Sequence, residues 1–245
     1  IDVLTEFFKP YQAARHARNR KMIAKINEIV GVDIAIMKAV AEELGDCTLE
    51  FLQSNHEGVI VDRFYVVNDS PEVIPEIKGD YVVVNTEDVY ERRDNDHYWT
   101  HENLGKMHRL RNLTCERALA GDYDYLFSVD TDLVLHPDTL MELLAAGKDI
   151  VSELFWTNGW CNAWMYDQSA GMDPHWVTPG LYQVGMTGAC ILISRRVLEA
   201  GGDYSAIPNI RKCLWGEDRH FCIRAVCNGF EIWADNRCQP VHLYR

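Results

Sequence analysis

Short apolar runs alternate with helix-forming stretches along most of this 245-residue chain. One such run, Leu126–Val129 before Asp130, is followed by "HPDTLMELLAAG", which has Pro137 near its first turn and Gly147 where a helix would end. Alternating strands and helices are typical of a parallel sheet with helices packed on its faces. We therefore predict an α/β fold in which a mostly parallel sheet is flanked by helices, as a single domain over residues 1–245.

The remaining predicted elements continue this alternation. Strands are predicted at "IDVLTEFF", "VIVDRFYVVND", "DYVVVN", "DIVSEL" and "MTGACILIS". Helices are predicted at "YQAARHARNRKMIAKIN", at Ile34–Leu44, at "HENLGKMHRLRNLTCERALA" before Gly121, and at "GEDRHFCIRAVCNG". In folds of this class, ligands bind beyond the carboxyl ends of the strands. We expect the functional site at that edge.

Two carboxylates one residue apart, Asp130 and Asp132, follow the predicted strand Leu126–Val129. Like charges at the end of a buried strand are costly unless a cation or a proton neutralises them. Oxygen ligands suit Mg²⁺ and Mn²⁺, which usually bridge one or two carboxylates to the phosphates of a substrate. The pair therefore predicts a divalent-cation site for a phosphate-containing substrate. A turn or helix-capping role for Asp132 is the plainer alternative.

The acidic composition limits the partners of the chain. Its formal net charge of −13 argues against a nucleic-acid partner, because an extended nucleic-acid surface needs a basic face. The apolar runs are too short to span a bilayer, so no membrane span is expected. The eight cysteines lack metal-finger spacing and are expected to be mostly reduced core thiols, which favours a cytoplasmic protein.

Six motifs in order resemble those of family 2 glycosyltransferases and their relatives, which have the GT-A fold. They are "VLTEFF", "YVVNDSPE", "NLGKMHRLRN", "VDTDLVLHPDTLMELL", "MTGACILISRRVLEAGG" and "WGEDRHFCIRAVCNGFEIWAD…VHLY". The resemblance extends from about Ile1 to His242. It implies a Rossmann-like GT-A domain, with a nucleotide-sugar-binding half over 1–132 and an acceptor-binding half over 133–245.

The implied reaction moves a sugar from a nucleoside diphosphate sugar, UDP-linked by default, to the hydroxyl of a carbohydrate, lipid or protein acceptor. By resemblance, Mn²⁺ or Mg²⁺ is held by Asp130, Asp132 and His242. Of the basic residues Lys106, Arg109 and Arg111 on the preceding helix, Arg109 is the predicted diphosphate contact. The implied nucleotide-sugar contacts are Thr5, Glu6, Asp69, Arg109, Asp130, Thr131 and Asp132.

The two acids of "WGEDRHF" are the implied catalytic pair. Asp218 matches the general base of an inverting transferase, and Glu217 matches the adjacent acid that orients the acceptor. An attacking hydroxyl must lose its proton, which is why such a base is needed. In a retaining relative, Asp218 would instead bind the acceptor. The positive end of the helix is expected to keep Asp218 ionised at neutral pH, and two acids there would stabilise the helix even without catalysis.

A segment rich in tryptophan, "FWTNGWCNAWMYDQSAGMDPHWVTPGLY", begins at Phe155. Aromatic platforms hold sugar rings, and a mobile loop can close over a donor and exclude water. We predict that the acceptor region is lined by Trp156, Trp160, Trp176 and, further along, Trp215. Core packing of these aromatic side chains is the alternative.

Three other functions stay open at this stage. "VDTDLVL" fits the first motif of haloacid-dehalogenase-like phosphatases, but that motif normally lies near the chain start and needs a later GDxxxD acidic pair. A nucleotidyltransferase acting on a sugar phosphate would have a similar nucleotide-binding half. A catalytically silent carbohydrate-binding domain would use the tryptophan-rich segment and would have no need of a base.

Overall fold

The computed structural model describes residues 58–68, 74, 80–84, 101–130, 133–157, 160–164, 178–208 and 216–242. These residues lie within one compact unit, Leu44–Arg245. The predicted strand at "IDVLTEFF" and the two predicted helices before residue 45 lie outside the described residues. The prediction of a single domain over 1–245 stays a prediction.

Thirteen strands and four helices are present in the described residues. The strands are β1 Phe64–Asn68, β2 Asp80–Val84, β3 Tyr125–Ser128, β4 Leu133–Val134, β5 Ile150–Glu153, β6 Trp156–Thr157, β7 Trp160–Cys161, β8 Ala163–Trp164, β9 Leu181–Val184, β10 Met186–Thr187, β11 Ile191–Ser194, β12 Ile232–Asp235 and β13 Val241–His242. The helices are α1 His101–Ala120, α2 Thr139–Ala145, α3 Arg195–Glu199 and α4 Glu217–Cys227. None of these helices has the length and apolar character that a bilayer span requires.

The five-stranded sheet is mixed, with strand order β3-β11-β5-β12-β9. β5 and β12 pair parallel, whereas the other three pairings are antiparallel. A mixed α/β fold is confirmed, but the prediction of a mostly parallel sheet is wrong for these strands. Parallel neighbours need a long crossover connection, and no helix of the described residues separates β5 from β11. The described part of the connection consists of short strands, and β11 runs antiparallel to both β3 and β5.

Three strands of this sheet nevertheless point the same way. Because β11 is antiparallel to both β3 and β5, and β12 is parallel to β5, the carboxyl ends of β3, β5 and β12 lie on one edge. Asp130 follows β3, while Glu153 and Asp235 end β5 and β12. This edge therefore gathers acidic residues, as predicted for Asp130.

Both faces of the sheet are buried. Side chains alternate between faces along a strand, so Ile150 and Ile193 pack in one apolar cluster and Val151 and Leu192 in another. The first cluster includes residues of α1 and α4, and the second includes residues of α2. Helices thus cover the two faces, and α1 and α4 share one of them.

The predicted strand "MTGACILIS" is divided into β10 and β11 by a sharp bend. Ala189 and Cys190 in this bend have φ values of 53° and 36°, a region that residues with side chains rarely adopt. The bend brings the preceding residue, Gly188, against the first turn of α4. A short stretch of strained backbone therefore shapes one wall of the site described next.

Candidate functional site

A buried arginine, Arg111 of α1, lies at the centre of a group of acids. Its Nη1 is 2.6 Å from Oδ1 of Asp130, and its Nε donates a 3.4 Å hydrogen bond to Oε1 of Glu217. Nη1 also donates to Oγ of Ser128 at 3.3 Å. The Arg111 side chain is 10% exposed, so water screens these attractions only weakly. Arg111 therefore joins the acid of the D-x-D motif to the acids of the "GED" motif.

Helix periodicity explains why Arg111 rather than Arg109 makes this contact. Arg111, Cys115 and Ala118 are all buried, and their spacing of four and three residues forms one helix face. Arg109 is exposed on α1, because two residues correspond to about 200° of helix rotation. The ion pair with Asp130 thus belongs to Arg111. Diphosphate binding by Arg109 stays a prediction.

Asp218 is packed against the bend between β10 and β11. A Cβ atom on residue 188 would overlap the carboxylate of Asp218. Gly188 is therefore required by the close approach of the first turn of α4. The packing fixes where the Asp218 carboxylate lies relative to Glu217 and Arg111.

The surroundings raise the pKa of Asp218 well above its ordinary value. Burial is the main cause, followed by the negative charge of Glu217, and Asp130 adds to it, while Arg111 opposes the shift. Desolvation and the neighbouring acids thus oppose the positive end of the helix, and ionisation of Asp218 at neutral pH stays a prediction. A carboxylate with a raised pKa is a stronger base, and general bases work best with a pKa near the operating pH.

The same charges stabilise the guanidinium. Burial alone would lower the pKa of Arg111, but Asp130, Asp218 and Glu217 together raise it well above its ordinary value. Arg111 is therefore a permanent positive charge inside a group of three acids.

His242 lies on β13, next to the strand that follows the D-x-D segment. In the antiparallel pair of β13 with β4, His242 is opposite Leu133, which directly follows Asp132. Its Nδ1 is 2.6 Å from Oγ1 of Thr157, and its ring meets Phe155 edge to face. A hydrogen bond at one ring nitrogen is how proteins orient a histidine that ligates a metal.

The metal site itself stays a prediction. Among the residues that the structure describes, no group of three or more His, Cys, Asp or Glu side chains is arranged to hold a metal ion. Asp132 lies outside those residues. Carboxylate oxygens and an imidazole nitrogen are nevertheless donors that Mn²⁺ accepts, so the chemistry of Asp130 and His242 fits such an ion.

The other predicted site residues are distributed as follows. Trp156 of β6 is partly buried and packs against the apolar core, which supports the core-packing alternative for that residue. Trp160 begins β7, which pairs with β6. Trp164, from the same segment, has its ring 5.2 Å from the guanidinium carbon of Arg219. The described residues do not include Thr5, Glu6, Asp69, Thr131, Asp132, Trp176 and Trp215.

Sequence reasoning missed a second group of charged residues, which centres on Glu153. Glu153 is fully buried, and neither of its carboxylate oxygens has a hydrogen bond of normal geometry to any residue that the structure describes. It lies opposite Asp235 in the pairing of β5 with β12. Arg237 forms ion pairs with Asp235 and, at 2.9 Å, with Glu142. Burial, followed by the charge of Asp235, raises the pKa of Glu153 to about 9.

Replacing Gly188 with Ala is expected to displace Asp218 and to lower the stability of the fold. Overpacking a tight site costs about 1–3 kcal/mol, which should appear as a lower melting temperature. Gly105→Ala is the matched control, since no atom lies within 4 Å of a Cβ at that helical position and Ala stabilises a helix interior by about 0.5–1 kcal/mol. Equal melting temperatures for the two variants would contradict the close packing.

Comparisons with known proteins leave the family open. No protein-family model matches the chain, and no curated protein does. Among solved structures, the crystal structure of A197 from STIV is similar at 14% sequence identity and a TM-score of 0.43, over 76% of this chain and 87% of that chain. A likeness at this TM-score supports no statement about fold or function.

Proposed function

We propose that this protein is a metal-dependent glycosyltransferase of the GT-A fold, which moves a sugar from a UDP-linked donor to an acceptor hydroxyl. The observation that carries the proposal is the meeting of Asp130 with Glu217 around Arg111. In the family that the sequence resembles, these two motifs serve the donor and the acceptor respectively. Their convergence on one buried arginine supports a shared reaction centre.

The roles of the acids follow from their surroundings. Asp218, with its raised pKa, would accept the proton of the attacking hydroxyl. Glu217, held by Arg111, would orient the acceptor. A divalent cation bound by Asp130, Asp132 and His242 would supply positive charge to the leaving diphosphate. The pairing of His242 with Leu133 supports this ligand set.

The test is a thermal-shift panel of UDP, GDP, CDP, ADP and CMP, each with and without Mn²⁺. A ligand at one hundred times its dissociation constant stabilises a protein by about 2.7 kcal/mol, which raises the melting temperature by about 5–11 °C for a chain of this size, since each kcal/mol corresponds to about 2–4 °C. We expect a shift that needs both UDP and Mn²⁺ and that is lost in Asp132→Ala. Asp122→Ala, in an exposed turn before β3, should keep the shift.

The other outcomes separate the rival functions. Absence of a shift with every nucleotide, or a shift indifferent to the metal, would overturn the proposal. A shift with free sugars alone would favour a carbohydrate-binding domain. Formation of a nucleoside diphosphate sugar from a nucleoside triphosphate and a sugar phosphate would identify a nucleotidyltransferase.

A further inference from the structure

We infer that Arg111 is a positioning residue of the reaction, which holds the donor-side acid Asp130 and the acceptor-side acid Glu217 at a fixed separation. The inference rests on the proposed function. It extends that function because it assigns the distance between the donor-side and acceptor-side acids to one side chain of α1. In the proposed function this side chain binds neither the donor nor the acceptor.

The contacts of Arg111 point in two directions. Nη1 faces Ser128, the last residue of β3, and Asp130, which follows that strand. Nε faces Glu217 at the start of α4. The planar guanidinium keeps these two donor directions rigid relative to each other. Movement of either acid would therefore break a charge-assisted hydrogen bond in a weakly screened environment.

Asn112, the residue after Arg111, anchors this part of α1 through hydrogen bonds. Asn112 accepts a hydrogen bond from the N–H of Tyr204 at 2.7 Å and donates one to Oγ of Ser205 at 2.9 Å. Arg224 of α4 donates to the carbonyl oxygens of Asp203 and Ser205. Both α1 and α4 are thus bound to one segment, 203–205, which fixes the position of Arg111 relative to Glu217.

Lysine could not replace this arrangement. Its ammonium is a compact point charge on a flexible stem, so it can neutralise acids but does not hold two of them at a defined separation. A role limited to charge neutralisation predicts that Arg111→Lys behaves as wild type. A positioning role predicts a loss of turnover in Arg111→Lys despite the retained charge.

The experiment uses the full chain with Mn²⁺ and measures UDP release from UDP-glucose, UDP-galactose and UDP-N-acetylglucosamine. Arg111→Lys and Arg111→Met are compared with Arg196→Met, which removes the same charge at a position where the side chain is 75% exposed. We expect kcat to fall about 10²-fold in Arg111→Met, since a small misplacement of reacting groups has an effect of that size. The dissociation constant for UDP with Mn²⁺ should rise by a smaller factor than kcat falls, because Asp132 and His242 remain as proposed metal ligands, and Arg196→Met should match wild type.

A double-variant cycle distinguishes positioning from general damage to the fold. If Arg111 acts through the two acids, Arg111→Met combined with Glu217→Gln loses no more kcat than Arg111→Met alone. If Arg111→Met does not fold, Arg111→Lys takes its place in the cycle. Multiplicative losses, or a kcat of Arg111→Lys within twofold of wild type, would overturn the inference. A wild-type protein that neither binds UDP with Mn²⁺ nor releases UDP would instead overturn the proposed function.

Discussion

Replacing Asp218 with Asn is expected to lower the kcat of sugar transfer by about 10²- to 10⁴-fold, the usual contribution of a general base. Asparagine has nearly the same shape, so its packing against Gly188 should persist. Affinity for UDP with Mn²⁺ should stay near that of wild type, because the proposed donor contacts belong to the D-x-D side. The measurement is steady-state UDP release with acceptor present, alongside calorimetric binding of UDP.

The melting temperature of Asp218→Asn shows whether a loss of activity comes from the missing base or from a damaged fold. Folding raises the pKa of Asp218. The contribution of this carboxyl group to the free energy of unfolding is therefore largest at low pH and is lost as pH rises through the pKa that the group has in the fold. Asparagine cannot ionise, and Asp218→Asn should therefore melt at or above the wild-type temperature above neutral pH. Asp124→Asn, at an exposed position, is the control and should change neither property. An active Asp218→Asn would remove Asp218 from the reaction.

Local signals predicted helices α1, α2 and α4 and the position of Asp130, whereas the short helix α3 was not predicted. Helix α1 covers the predicted residues from "HENL" to "RALA" and ends before Gly121, and α2 ends before Gly147, whose φ of +60° suits glycine. Asp130 could be placed at a strand end because an apolar run and a polar turn adjoin there. These features depend on neighbours in sequence, which is why the chain alone reveals them.

Strand direction could not be predicted in the same way. Pairing of β11 between β3 and β5 joins residues that are far apart in the chain, and the strand sequences carry no mark of their neighbours' direction. The role of Arg111 could have been predicted in part, because its burial is visible in the sequence but its acidic partners are not. Its spacing from Cys115 and Ala118 was a usable signal, because a basic residue on the buried stripe of a helix requires an acidic partner.

The sequence also contains a signal for Glu153. This acid lies in the segment "DIVSELF", two residues after the buried Val151. Alternation along a strand places both side chains on one face, so Glu153 had to be buried. Its partner could not be read from the sequence, since Asp235 reaches it only through the pairing of β5 with β12.

Wild-type stability is expected to fall as pH rises from about 5 to 9, and Glu153→Gln should remove most of that fall. The pKa of Glu153 is about 9 in the fold and near its ordinary value of 4.5 when unfolded. Between those values the folded chain holds a proton that the unfolded chain has released, so stability decreases with pH. The decrease is on the order of a few kcal/mol, because each pKa unit corresponds to about 1.4 kcal/mol.

Urea unfolding of both proteins at pH 5, 7 and 9 measures this effect. The two proteins should have similar free energies of unfolding at pH 5, where the Glu153 carboxyl is protonated in the fold, and should diverge in favour of Glu153→Gln at pH 9. Glu199→Gln, at a side chain that is 55% exposed, should follow the wild-type curve. Parallel curves for wild type and Glu153→Gln would show that Glu153 ionises normally, which would require partners for its carboxylate among the residues around Asp235 and Arg237.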